Sequence, residues 1–285
     1  MVGRILGLWL AGTAWAAGAV VPPAGIDIPA AAVERAGLAP AELAWLDAPQ
    51  FHWKHLQTEH FILHHDQKMF AARVARMGEQ FYAAISGDLP CLQDRVSPRR
   101  SHIFIFRDPR DWQAVMAAVP ELGPGTISFV HSQVMFLQEI DGDASAKMGL
   151  LAHEMTHLVF NRYLTAPLPL WLNEGLAEYY GEFAYRSVRG MGQSRRSAFR
   201  PLPTWTPLPE LLAATAYPAD LKANALFYAT SKYLVGFLLL EQPRDKWPLF
   251  FARVVAGEPA LPALLATYGW ADIAALERDF RRFLR

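Results

Sequence analysis

Two pairs of residues spaced four apart constrain this chain more than anything else in it: His153 and His157 in "HEMTH", and Glu174 and Glu178 in "WLNEGLAEYY". Residues four apart share one face of an α-helix, so each pair projects together only if its segment is helical. Pro167 and Pro169 lie between the pairs. Proline lacks the amide proton and clashes with the preceding turn, so one continuous helix is excluded. The solution that brings both pairs together is two helices folded back on each other, antiparallel, with the histidines facing the glutamates.

That arrangement has a chemical reading. His153 and His157 aim their imidazoles at one point, as a metal ion requires, and Glu154 can lean over the same point as a base for a water held there. A catalytic zinc needs a third protein ligand and an open fourth position; Glu174 supplies the third. Glu178, one turn further on, is placed to accept a hydrogen bond from the free N–H of a ligating histidine and so fix its tautomer. Taken singly, each of these residues reads better as an ordinary residue of a helix. Taken together they predict one Zn2+ per chain. A two-carboxylate glycosidase built on Glu154 and Glu174 would leave the histidine spacing unexplained.

"HEMTH" followed by "LWLNEGLAEYY" resembles the gluzincin zinc metallopeptidases, in particular the peptidase MA-like proteins. The resemblance extends more weakly to "TEHFILHHD", "SHIFIFRD", "GPGTISF" and "NALFYATSKYLVGFLLLE", from about Trp53 to Leu284, with only the zinc motif specific. It implies a zincin-like fold, a peptide or protein substrate, His153, His157 and Glu174 as zinc ligands and Glu154 as general base. It also implies a tyrosine from the later helical part as donor to the developing oxyanion. Tyr228 is the choice, with Tyr233 and His131 as substitutes, although a core aromatic on an amphipathic helix accounts for Tyr228 equally well. Aminopeptidases of this type carry a Gly-x-Met-Glu-Asn stretch that holds a free amino terminus. Here the corresponding region reads "GTISFVHSQVMFLQEIDGD", without it. The expectation is therefore an endopeptidase on extended segments, paired to an open edge offered by "QVMFLQ". The alternative is an inactive relative that keeps the zinc fold to bind peptides or assist envelope assembly.

The rest of the chain sets the context. Lys+Arg and Asp+Glu both number 27, and no basic stripe appears, which removes the electrostatic footprint of a nucleic-acid binder. Residues 1–19 have the layout of a signal peptide, one arginine before an apolar stretch and then small residues, with an uncleaved anchor as the alternative. Export to the periplasm or medium follows. Cys91, as the single cysteine, can form no internal disulfide. The apolar run Tyr233 to Leu240 is too short to span a bilayer and reads as a buried helix, so no membrane span is expected once the signal is cleaved. The oligomeric state stays open.

Periodicity gives an α+β architecture: residues 20–50 as a loosely ordered Ala/Pro-rich leader, 51–143 as a small mixed β-sheet lobe, and 144–285 as a helical lobe, with the zinc site in the cleft between lobes. Two other clusters attract notice. His60, His64, His65 and Asp66 suggest a second metal, but His64 and His65 face opposite sides of an alternating strand, so a strand-end or surface reading is preferred. Arg186, Arg189, Arg195, Arg196 and Arg200 could guide acidic groups, but read more simply as a solvated flexible loop.

Overall fold

The computed structural model describes residues 25–89, 96–119, 126–139, 145–164, 166–188 and 194–285; residues 1–19, for which a signal peptide is the expectation, Cys91 and Arg189 lie outside the described residues. Among the described residues, β1 (Ile26–Ile28), β2 (Lys54–Gln57), β3 (Phe61–His65), β4 (Ser101–Phe106), β5 (Ser128–His131) and β6 (Val134–Gln138) form one sheet in the order β1-β2-β3-β4-β6-β5. The central pairs β3–β4 and β4–β6 are parallel; β1–β2, β2–β3 and β5–β6 are antiparallel. Helix α2 (Lys68–Asp88) makes the crossover from β3 to β4, and α3 (Pro109–Ala118) follows β4.

Parallel strands bury both faces because their crossovers cover the sheet, and the strand sequences show it. Phe61, Leu63, Ile103 and Ile105 join a core that includes Val74 and Phe81 of α2. The alternate residues Ile62, Phe104 and Phe106 pack on the other face with Trp112 of α3 and with Leu46 of α1 (Pro40–Asp47). The helical part consists of α4 (Ser145–Phe160), α5 (Leu170–Val188), α6 (Leu208–Ala213), α7 (Leu221–Leu240), α8 (Lys246–Val255), α9 (Ala260–Tyr268) and α10 (Ile273–Phe283). One buried cluster runs from Leu56 on β2 to Leu284 beyond α10, so sheet and helices share a core. By length and composition α7 is the one helix among the described residues that could cross a membrane, but half of its most apolar stretch is buried inside the fold.

Four expectations need correction. The Ala/Pro-rich leader is not loose over residues 25–50: it carries β1, paired to β2, and α1, whose Glu42 accepts a hydrogen bond from the Ala39 amide at 2.6 Å. Backbone pairing and burial of Val33 and Leu46 supply the order that its aperiodic sequence conceals. "QVMFLQ" is not an edge. It forms β6, enclosed between β4 and β5, because the chain reverses at Ser132 (φ 54°) and lays β5 on the outside. Arg195 is not simply solvated: its guanidinium lies 2.5 Å from the Asp88 carboxylate and 4.4 Å from the Phe183 ring.

His64 and His65 do face opposite sides of β3, yet both are buried, at 0% and 1% exposure, because helices cover both sheet faces. His64 sits between two further rings, its Nδ1 2.9 Å from His55 Nδ1 and its Nε2 2.9 Å from His102 Nδ1. Burial, followed by mutual repulsion, holds His64 well below the usual histidine range. Burial also brings His102 down to about 4. His60 is absorbed by Glu79, whose carboxylate oxygens meet its ring nitrogen at 2.6 Å and its amide at 2.9 Å.

A histidine whose folded value is depressed contributes stability above its unfolded value, near 6.5, and loses it as pH falls through the folded one. His102 alone should remove about 2–3 kcal/mol between pH 7.5 and 4.5. Urea unfolding across that range checks this: a falling midpoint is expected, and a flat one would show that the cluster is protonated without penalty.

Candidate metal centre

Helix α4 carries His153 and His157 one turn apart, while Met155, Leu158 and Val159 are buried in the core. Helix α5 lies alongside, closely enough that a Cβ at Gly181 would come within 3.1 Å of the His153 backbone nitrogen. On its other side α5 meets α7, where a Cβ at Gly175 would fall 2.5 Å from the Ser231 carbonyl oxygen. Glycine at these two positions lets three helix backbones stack without intervening side chains. The carboxylates of α5 are thereby brought within reach of the imidazoles of α4.

The meeting point is tight. His153 Nε2 and His157 Nε2 are 3.1 Å apart, and Glu174 Oε2 lies 3.3 Å from the first and 3.7 Å from the second. One ligand atom from each of these three residues lies within 4.8 Å of the others. Behind them, the Nδ1 of His153 is 3.1 Å from Glu178 Oε1. The second oxygen of Glu174 accepts hydrogen bonds from the Tyr217 hydroxyl at 2.7 Å and the Asn173 amide at 3.3 Å.

Burial alone would lower His153, but the carboxylates of Glu174 and Glu178 override it and raise the metal-free imidazole to about 10. Burial would raise Glu174, and the two histidines instead hold it well below the carboxylate range. Burial raises Glu154, partly offset by the same histidines. Something positive belongs where two basic nitrogens and a buried carboxylate converge, either a shared proton or a cation. Two imidazoles and one carboxylate, with a hydrogen-bond acceptor behind one imidazole, make a donor set suited to a divalent metal with an open coordination position. The residues fit the ion.

The three groups open into a cavity of about 590 Å³ whose wall includes Glu154, Tyr228, Tyr217 and, from the outer strand, Phe129 and Val130. Leu164, Ala166, Pro167 and Leu168, from the connection between α4 and α5, give it an apolar side. Tyr228 stands beside His153, ring centroids 6.2 Å apart, and Tyr217 stacks on Tyr228 at 5.9 Å with the planes within 5°. The substitutes for Tyr228 are elsewhere. The Tyr233 hydroxyl is engaged with the Arg200 backbone, donating to its carbonyl at 2.8 Å and accepting from its amide at 3.1 Å. His131 is an exposed residue of β5 facing Glu42.

Sequence reasoning overlooked Tyr217. Its mark is faint, a tyrosine before proline in "AATAYPAD", just ahead of the helix that bears Tyr228. It also overlooked Asn161, whose amide donates to the Ser132 carbonyl at 2.6 Å and ties the end of α4 to the β5–β6 turn.

A family model described as the Peptidase MA superfamily matches residues 94–285, which include α4, α5, both tyrosines and the outer strand. No curated protein matches the chain.

The geometry predicts that the purified protein takes up one zinc per chain. His153→Ala, His157→Ala and Glu174→Ala should each weaken binding by more than about a hundredfold, beyond what loss of a supporting contact costs; Glu178→Ala should cost about ten- to a hundredfold. Competition titration against a chromophoric chelator measures all four. Parental affinity in Glu174→Ala would remove it from the ligand set.

Proposed function

Because the chain belongs to the Peptidase MA superfamily, we propose that it is a zinc metallopeptidase, exported, that cuts extended peptides internally. The observation that carries this reading is the convergence of His153, His157 and Glu174 on one point at the floor of an open cavity that Glu154 also lines. A zinc ion held there supplies Lewis acidity, acidifying a water and polarising a peptide carbonyl.

The chain's own residues do the remainder. Glu154 lines the cavity but lies outside the convergent set, so its carboxylate is free to accept the proton of the attacking water and hand it to the leaving amine. Its burial raises it toward the working range of such a base. Tyr228, protonated because burial and the nearby Glu174 hold its phenol up, can donate a hydrogen bond to the carbonyl oxygen as charge develops. Substrate orientation is the task of β5. As the outer strand beside α4, it can pair an extended peptide by backbone hydrogen bonds, the role assigned from sequence to "QVMFLQ". The apolar side of the cavity favours an apolar side chain near the cut. The layout of residues 1–19 supports export.

Two measurements test this. Glu154→Gln should keep zinc and fold while losing turnover by about 10²–10⁴-fold, the contribution of a general base. Equal turnover in parent and variant would remove Glu154 from the mechanism, and absence of turnover in both, across a wide peptide library, would favour a zinc-holding peptide-binding protein. Mass spectrometry of digests of a peptide and its N-acetylated form then addresses the mode of cutting. Internal cuts indifferent to acetylation are expected; stepwise loss of amino-terminal residues, abolished by acetylation, would make it an aminopeptidase.

A further inference from the structure

The two oxygens of Glu174 have different surroundings. Oε2 faces the two imidazole nitrogens, at 3.3 and 3.7 Å. Oε1 turns the other way and receives the Tyr217 hydroxyl at 2.7 Å, a normal length for a strong O–H···O⁻ bond. Glu174 is only 3% exposed, so water has little access to replace that donor. Unlike the histidines and carboxylates that meet at the ion site, Tyr217 belongs neither to α4 nor to α5. It sits in the irregular connection between α6 and α7, is 49% exposed, and is held by its ring lying parallel on Tyr228.

We propose that Tyr217 is a positioning residue that commits Glu174 to bind the metal through one oxygen only. The inference rests on the metal reading given above. A carboxylate free to rotate can cover a cation with both oxygens, which fills the coordination position that a water or a substrate carbonyl needs. A phenol bonded to the far oxygen opposes that rotation and leaves the position open. The Asn173 amide shares the same oxygen at 3.3 Å, too long to hold it alone. Through its ring, the same side chain sets the place of Tyr228 beside His153. One residue of the connecting segment thus adjusts both the ligand and the proposed oxyanion donor.

Tyr217→Phe removes only the hydroxyl and keeps the ring stacking. Zinc affinity of the full chain, parent and variant, is measured by competition with a chromophoric chelator, the visible absorption of the Co2+ form is recorded, and thermal unfolding of the metal-free proteins is followed in parallel. The expected result is a loss of zinc affinity of about ten- to a hundredfold, together with a weaker, shifted cobalt band as Glu174 becomes bidentate and the coordination number rises. Metal-free unfolding should fall only by the loss of one hydrogen bond to a buried carboxylate, whereas a merely structural hydroxyl would move that and leave the cobalt spectrum as it is. Equal affinity and an identical cobalt spectrum in parent and variant would overturn the proposal while leaving the metal site in place. A parent chain that takes up neither ion would overturn the metal reading itself, and with it this inference.

Discussion

The site depends on how near two helix backbones can come. For Glu174 to stand 3.3 and 3.7 Å from two imidazoles while Glu178 touches the back of one of them, α5 must lie almost against α4. Gly181 permits this, since any Cβ there would press on the His153 backbone at 3.1 Å. Side chains of glutamate and histidine are long enough to bridge a wider gap, but only by adopting several rotamers each, and the entropy of fixing them would oppose convergence. Close backbones shorten the reach. The same logic holds on the far side of α5, where Gly175 lets α7 approach and brings Tyr228 over His153.

Helix α4 also transmits this geometry to the sheet. His153, His157 and Asn161 recur every fourth residue, and Asn161 binds the Ser132 carbonyl at the turn that positions β5. The next residue, Arg162, is 4% exposed and donates to the carbonyls of His60 and Arg99 at 3.0 and 2.7 Å and of Ser97 at 3.0 Å. Three backbone acceptors around one buried guanidinium satisfy most of its donors and fix the end of α4 on the start of β3 and β4. The distance from the two histidines to the outer strand is therefore set along one rigid element, which would suit the proposed pairing of an extended peptide there.

What the sequence revealed followed from short-range rules. The i,i+4 pairs and the intervening prolines were sufficient to place four residues on two facing helices, because helix geometry fixes which side chains share a face. The strand "FILHH" is legible from its alternation and "SHIFIF" from its Ile and Phe content. The rest depended on partners distant in sequence. No local pattern tells that Ile26–Ile28 pairs with β2, or that β5 rather than β6 takes the outer position, since both strands of a hairpin carry similar residues. Tyr217 reaches Glu174 across 43 positions from an irregular segment, where no period operates.

The two histidine clusters show why residue type alone misleads. His55, His64 and His102 touch at 2.9 Å, as closely as the pair on α4, yet their contacts use opposite nitrogens of the His64 ring and so run along a line instead of meeting at a point. Burial there drives the rings toward neutrality, and among the described residues no carboxylate contacts them to reverse it. At His153 burial pushes the same way, but Glu174 and Glu178 outweigh it and favour positive charge. A cation is welcome only where lone pairs converge and negative charge is already in place; α4 and α5 meet both conditions, and the sheet cluster meets neither. The first suits a cation and the second packing, although "HFILHHD" carries more histidines than "HEMTH".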